Sequence, residues 1–335
     1  MTKLNIPPNY TPPQSTYDTQ VAIRFIRGSI HETLEKSLNM MRVSAPLIVQ
    51  SDTGLNDNLT GVERPVRFDV PELGVDVEIV QSLAKWKRVA LKRYGFKPGE
   101  GIYTEMNAIR RDDDIDNTHS IYVDQWDWER VITLEERSID TLVKIAGQLF
   151  DMLKETENIV ADKFPGIKRH LPSKLTVLST RELFDLYPNM NANQREDAIC
   201  RKHGAVFLTQ IGDELTPGIK HGDRSPDYDD WTMNGDLLFY YPVLDRAMEI
   251  SSMGVRVDAA ALKSQLTKAN AEDRLSLPYH RMVLGGELPL TVGGGLGQSR
   301  ICMFMLDRAH IGEVQVSVWP EDMVRECEAV GITLL

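Results

Sequence analysis

The 335-residue sequence predicts an α+β fold, a mostly antiparallel sheet flanked by helices. Two observations carry that expectation. Apolar segments with period-2 patterning follow one another directly, as in "VRFDV" and "VDVEIV", which is how hairpins read. Helical segments are grouped between such runs instead of alternating with them one for one, which disfavours a βαβ repeat. No internal repeat and no low-complexity linker interrupts the chain. Residues 16–335 are therefore expected to form one domain behind a loose, proline-rich arm, residues 1–15.

The elements follow in order. Val21, Ile23, Phe25, Ile26, Ile30, Leu34 and Leu38 recur at helical spacing, so a first helix runs from Thr16 to about Asn39. "MRVSAPLIV" reads as a strand interrupted by Pro46, which belongs at an edge or a bulge. The hairpin "VRFDV"–"VDVEIV" turns at "PELG". "SLAKWKRVALKRY" reads as a helix. "GIYTEMNAIR" and "SIYVDQWDWERV" read as strands joined by the acidic loop "RDDDIDNTH". A long helix is expected over roughly 134–162, starting in "LEERS", then short helical pieces over 175–205. "AVFLTQIG", "DLLFYYPVL" and "AMEISSMGVRVD" are three more strands, and helices fill roughly 259–285. A glycine-rich turn, "TVGGGLGQSR", then leads into the apolar helix "ICMFML", and "VQVSVWP" follows.

Composition narrows the function. The chain is 42% apolar and 26% charged, ordinary for a globular protein with a sizeable core. Its net charge of -11 argues against a basic nucleic-acid-binding surface but leaves room for a local anion pocket. Cys200, Cys302 and Cys327 are far apart and form no C-x-x-C, which disfavours a disulfide framework or zinc knuckle. The polar start has no apolar signal core, and no run of about 18 apolar residues occurs later. The expectation is a soluble, cytoplasmic protein without a membrane partner.

The glycine-rich stretch places four glycines, Gly293, Gly294, Gly295 and Gly297, within five positions. It is not the dinucleotide fingerprint, because Arg300 stands where the third glycine of G-x-G-x-x-G should be. It is not a P-loop, because no Gly-Lys-[Ser/Thr] occurs in the chain. Lys85, Lys87 and Arg88 form a charge run, ordinarily a solvated face. Arg110 ends a strand before an acidic loop, where a guanidinium can clamp a phosphate. In "YVDQWDWE", Asp124, Trp126 and Trp128 face one way, and Val123, Gln125, Asp127 and Glu129 the other. The second face is polar enough to need a polar partner. "SPDYDDW", "NGD" and "EISSMGVR" add further carboxylates, with Glu249 and Arg256 on one strand region. Carboxylates beside a phosphate clamp suggest Mg²⁺.

Taken in chain order, "MRVSAPLIV", "AIRRDDD" with "YVDQWDWE", and "GGGLGQSR" resemble the three motifs of the class II aminoacyl-tRNA synthetase catalytic core, in particular its aspartate-specific branch. More closely, the blocks "DNLTGVE", "SLAKWKR", "GEGIYTEM", "YVDQWDWERV", "SPDYDDW", "MNGD", "SSMGVRVD", "AEDRL" and "GGGLGQSR" resemble the ammonia-dependent asparagine synthetases. These blocks run from about 57 to 300. The resemblance implies that residues 16–335 are a single class II synthetase-like catalytic domain. It implies an ATP-dependent synthesis of L-asparagine from L-aspartate and ammonia through β-aspartyl-AMP, with AMP and pyrophosphate released. A relative of the aspartyl- or asparaginyl-tRNA synthetases and an inactive nucleotide- or amino-acid-binding paralogue are the alternatives. The chain begins Met-Thr, without the N-terminal cysteine nucleophile of one glutamine-dependent class, so free ammonia is the expected nitrogen donor.

The resemblance also distributes roles. Arg110 would grip the α-phosphate, and Arg300 would stack on adenine and reach the terminal phosphate. Ile250, Ser251, Gly293, Gly295 and Gly297 would complete the nucleotide site, the glycines by letting backbone approach closely. Asp236 and Glu249 would hold Mg²⁺ and ATP. Lys87 and Arg256 would hold the α-carboxylate of aspartate, turned so that its β-carboxylate meets ATP. Asp57, Gln125, Asp127 and Asp229 would pair with the α-ammonium or guide ammonia, with Ser82 and Ser252 as hydrogen-bonding neighbours. A homodimer through segments near 16–48 is expected, with no nucleic-acid partner.

Overall fold

The computed structural model describes residues 4–335. In chain order its elements are α1 (Thr16–Leu38), β1 (Met40–Arg42), β2 (Ile48–Gln50), β3 (Arg67–Val70), β4 (Val75–Ile79), α2 (Ala84–Tyr94), β5 (Gly101–Ile109), β6 (Tyr122–Val131), α3 (Ile139–Lys163), β7 (Thr176–Ser179), α4 (Thr180–Leu186), α5 (Ala192–His203), β8 (Ala205–Thr209), β9 (Glu214–Thr216), β10 (Ile219–Lys220), β11 (Asp229–Tyr241), β12 (Arg246–Arg256), α6 (Ala259–Lys268), α7 (Pro278–Leu284), β13 (Thr291–Gly297), α8 (Gln298–Met305) and α9 (Glu321–Glu328). Eight strands form the main sheet in the order β1-β5-β6-β13-β12-β11-β8-β7. Its six central strands pair antiparallel. One parallel strand is added at each edge, β1 on β5 and β7 on β8. β2, β4 and β3 make a small second sheet, and β9 pairs with β10.

Strand alternation decides where the helices go. Trp126, Trp128, Leu237, Met253, Val292 and Leu296 point to one face and join α1, α3 and α8 in the main core. The opposite face is covered only at its ends. Ala90 and Leu91 of α2 pack on Ile102 and Val131. Leu183 of α4 and Ile199 of α5 pack on Val206, Leu208 and Leu238. Between them the middle strands present Gln125, Asp127, Glu129, Ser252 and Arg256, polar groups that cannot stay buried without partners. That gap is the cleft. Among the described residues no helix is long and apolar enough to cross a membrane.

Several local expectations are corrected. "MRVSAPLIV" forms two strands in two different sheets: pairing with β5 ends at Arg42, and Pro46, which cannot donate to a ladder, lies in the link before β2. The long helix starts at Ile139, not 134: Ser138 caps it by accepting from the Thr141 N–H at 3.3 Å. "TVLS" is the edge strand β7, too short to show a period. The glycine-rich stretch is not a turn but strand β13, at the centre of the sheet. The described part of the N-terminal arm is docked, not loose. Leu4, Ile6 and Tyr10 pack against Ala309, Met323 and Cys327, and the Tyr10 hydroxyl donates to Glu313 at 3.0 Å. Residues 1–3 of that arm lie outside the described residues.

Candidate active site

The cleft has two compartments. The inner one, of about 280 Å³, is lined by Ser82, Lys87, Arg110, Gln125, Asp127, Asp229, Glu249, Ser252, Arg256 and Gly295 among others. The outer one, of about 470 Å³, takes in Arg110, Gln125, Glu249, Ile250, Gly297 and Arg300. Arg110, Asp113, Gln125 and Glu249 belong to both and mark their junction.

Helix α2 supplies the inner cations. The Lys85–Arg88 run, ordinarily a solvated face, is buried, and each cation has its own partner. Lys85 pairs with Asp227 at 3.0 Å. Arg88 donates to the carbonyls of Val257 at 2.7 Å and Pro289 at 2.9 Å. Lys87 sits 3.0 Å from Asp127, 4.0 Å from Glu129, and donates to the Gly294 carbonyl at 3.0 Å. Burial lowers the Lys87 ammonium from its ordinary range even beside these carboxylates.

Arg256, at the end of β12, is held from both sides. Its Nη2 donates to Glu129 at 2.6 Å and its Nη1 to Asp229. Thr291 also donates to Glu129, at 2.7 Å. Burial opposes the charge on Glu129, but Arg256 outweighs it and holds the carboxyl low. At Asp229 burial wins and pushes the carboxyl up despite Arg256. Glu129 is the fully buried residue that fixes the guanidinium. Its signal in the sequence is its place on the polar face of "YVDQWDWE". Arg224, next to "SPDYDDW", gave no such signal; its Nη1 donates to Ser252 at 2.5 Å and its Nη2 to Asp236 at 2.6 Å.

A β-bulge brings Glu249 into the cleft. Glu249 and Arg256 are seven apart, which on a regular strand puts them on opposite faces. In the β11–β12 ladder Leu237 faces Ser251 but Leu238 faces Glu249, so Ile250 is the extra residue. The inserted residue resets the alternation, and Glu249, Ser252 and Arg256 line one compartment. Arg300, in the first turn of α8, donates to the Glu249 carbonyl at 3.1 Å and stands 3.9 Å from its carboxylate.

The glycines of β13 form a floor. A Cβ on Gly293 would lie 2.0 Å from Glu129 Oε2 and 2.5 Å from Arg256 Nη2. A Cβ on Gly295 would lie 2.4 Å from Gln125 Oε1 and 2.7 Å from Asp127 Oδ1. These missing side chains make room for the polar groups of β6 and β12.

Four predicted residues line neither compartment. Gly293 lies under the Glu129–Arg256 pair. Ser251 is buried and its strand position faces the helical core, since Met253 on the same face belongs to that core. Asp236 is taken up by Arg224. Asp57 is buried behind the wall, with Oδ1 accepting from Ser225 at 3.0 Å. Among the described residues no group of three or more His, Cys, Asp or Glu side chains is arranged to hold a metal alone. Mg²⁺ on a nucleotide needs only one or two carboxylates beside phosphate oxygens. Glu249, half-exposed at the junction, fits that demand; Asp236, held by Arg224, does not fit it as it stands.

The family described as "Aspartate-ammonia ligase" matches residues 17–331. An aspartate–ammonia ligase of Clostridium perfringens is 55% identical over 338 aligned positions, covering 100% of both chains. One from Levilactobacillus brevis is 55% identical over 99% of both chains. Among solved structures, the asparaginyl-tRNA synthetase of Pyrococcus horikoshii with asparaginyl-adenylate superposes with a TM-score of 0.66 at 14% identity, over 91% of this chain and 70% of that one. That likeness shows a fold shared with the class II synthetases. With cleft, fold and full-length relatives in agreement, the chain belongs to the aspartate–ammonia ligase family.

Proposed function

We infer that this chain makes L-asparagine from L-aspartate, ammonia and ATP through β-aspartyl-AMP, releasing AMP and pyrophosphate. The observation that carries this reading is the meeting of two unlike compartments at Arg110. One is smaller and carries charges of both signs, Lys87 and Arg256 with Asp127 and Asp229, as an amino acid needs; the other is larger and lined by Arg110, Arg246 and Arg300.

A carboxylate oxygen is a poor leaving group, so the β-carboxylate must first attack the α-phosphorus of ATP. Pyrophosphate leaves and a mixed anhydride forms. Arg110 sits at the junction and meets the charge that builds on the α-phosphate, a type of contact worth about 10²–10³ in rate. Arg300 holds the far end of the nucleotide. Glu249 would hold Mg²⁺ on the phosphates, where the ion screens their charge; Asp236 would join only if Arg224 released it.

The inner compartment orients the amino acid. Lys87 has three N–H donors, of which Asp127 and the Gly294 carbonyl take two. Arg256 keeps donors beyond those given to Glu129 and Asp229. The remaining donors would take the α-carboxylate, and Asp127 and Asp229 the α-ammonium, with Gln125, Ser82 and Ser252 beside them. The β-carboxylate then points at Arg110. Exposed Tyr17, Met41, Leu47 and Ile48 on segments 16–48 support a homodimer, to be checked by light scattering at micromolar concentration.

The test is to incubate enzyme, ATP and aspartate with and without ammonium chloride. AMP and asparagine appearing together only with ammonium supports the reading. Aspartate-dependent pyrophosphate exchange without asparagine contradicts it. Glutamine should support no more product than its contaminating ammonia explains.

A further inference from the structure

Asp124 stands apart from the other acids of β6. It shares the strand face of Trp126 and Trp128, which otherwise builds the apolar core, and it is 5% exposed. A carboxylate in such a place must be paired, and its partners come from three other parts of the chain. Oδ1 accepts from the Ser299 N–H at 3.1 Å and from Gln315 Nε2 at 3.3 Å. Oδ2 accepts from the Ser299 hydroxyl at 2.8 Å and from Arg27 Nη2 of α1 at 2.8 Å. Gln315 closes the network. Its Nε2 also donates to Ser299 Oγ at 3.1 Å, and its Oε1 accepts from Ser120 at 2.6 Å. Asp124, Ser299, Gln315 and Ser120 all line the outer compartment.

This network holds the first turn of α8. The N-cap of that helix is Gly297, which has no side chain to accept from the unpaired N–H groups of the turn. β6 pairs with β13 as far as Gln125 opposite Gly297, so Asp124 is the residue that meets the chain as it leaves the strand for the helix. It accepts from the Ser299 N–H and puts a negative charge at the positive end of α8. Arg300 is the next residue. Its own guanidinium is held more loosely, by one bond to the Glu249 carbonyl at 3.1 Å, with the carboxylate 3.9 Å away. The direction it takes into the compartment is therefore set by the backbone that carries it, and Asp124 holds that backbone.

We propose that Asp124 is a positioning residue for ATP: it fixes the turn that presents Arg300, and Arg27 of α1 in turn fixes Asp124. The identity of the nucleotide rests on the ligase reading above. A carboxylate offers about four lone-pair directions, and four protein donors take them here. Asp124 therefore acts through Arg300 and not as a ligand of the nucleotide or of Mg²⁺.

In Asp124→Asn the amide can still accept from the Ser299 N–H, but its NH₂ faces Arg27, donor against donor, and the charge at the helix end is gone. The test is a double-mutant cycle of Asp124→Asn with Arg300→Ala. ATP affinity is read by calorimetry with MgATP alone, and the aspartate KM by pyrophosphate exchange. Asp124→Asn is expected to weaken ATP binding about tenfold and to leave the aspartate KM within about twofold of wild type. In the Arg300→Ala background it should weaken ATP binding no further, because the group it positions is already gone. Unchanged ATP affinity in Asp124→Asn, or a loss that repeats in the Arg300→Ala background, overturns the proposal. An aspartate KM that rises in step shows a general loosening of the cleft and overturns it as well. Urea melts show whether each variant is folded. Where Asp124→Asn is not, Ser299→Ala takes its place in the cycle. It loses the hydroxyl bond to Asp124 and keeps the N–H one, so a loss of about threefold is expected, again without a second loss beside Arg300→Ala. Wild-type enzyme that binds ATP but catalyses no aspartate-dependent exchange overturns the ligase reading instead, and the calorimetric cycle still decides the role of Asp124.

Discussion

Gly293→Ala separates the two roles a glycine-rich strand can play in this cleft. An added Cβ would sit 2.0 Å from Glu129 Oε2, and real Cβ contacts essentially never fall below 3.0 Å. The carboxylate must therefore retreat by about 1 Å, and its bonds to Arg256 at 2.6 and 2.9 Å and to Thr291 at 2.7 Å go with it. Disrupting a buried pair from one side costs about 3–5 kcal/mol. Part of that relaxes by repacking, so a loss of about 3 kcal/mol in the aspartate site is expected, roughly a hundredfold in affinity. The assays are pyrophosphate exchange as a function of aspartate, and direct calorimetry with AMP. The aspartate KM should rise about a hundredfold while AMP affinity changes less than about twofold. Weakened AMP binding with an unchanged aspartate KM would refute the reasoning and return Gly293 to the nucleotide.

Further outcomes follow from the same geometry. Lys87→Ala takes the buried ammonium away from Asp127, and should raise the aspartate KM by at least about tenfold with little change in ATP affinity, read from exchange kinetics. Arg110→Lys keeps the charge but loses bidentate pairing, and should lower the exchange rate by about 10²-fold with nearly unchanged substrate affinities. Burial holds the His310 imidazole down at about 4, against an ordinary 6.5. Folded protein keeps it neutral where unfolded chain takes a proton, so stability is intact above pH 6.5 and falls by up to about 3 kcal/mol as pH drops toward 4. His310→Gln should remove that part of the acid loss in urea melts at neutral and acid pH. Ser179→Ala breaks the α4 capping box and should cost about 1 kcal/mol in a melt without touching activity.

Much of the fold was legible because its strongest signals are local. The alternation in "YVDQWDWE" put Trp126 and Trp128 on one face and Gln125, Asp127 and Glu129 on the other, as the structure has them, while Asp124 shares the tryptophan face and pairs there with Arg27. Arg110, Lys87 and Arg300 were legible through ordered motifs. What escaped depends on tertiary partners. Glycine has poor strand propensity, so nothing local announced that β13 is central; its strand state follows from the side chains of β6 and β12 filling the space a Cβ would take. The bulge at Ile250 is a ladder property with no local code, so the presence of Glu249 and Arg256 in one compartment across an odd spacing had no explanation in sequence. The burial of Lys85, Lys87 and Arg88 escaped because their partners, Asp227, Asp127 and the carbonyl of Val257, lie far along the chain. Arg224 was invisible for the same reason, and its hold on Asp236 changes which carboxylate is open to a metal ion.

The central claim is that the aspartate β-carboxylate attacks the α-phosphorus at Arg110. L-Aspartate labelled with oxygen-18 in its β-carboxylate tests it directly, by mass spectrometry of the products of a single turnover with ATP and ammonium chloride. The account requires one labelled oxygen in AMP and one in asparagine. Label absent from AMP, or recovered in inorganic phosphate or pyrophosphate, would contradict it.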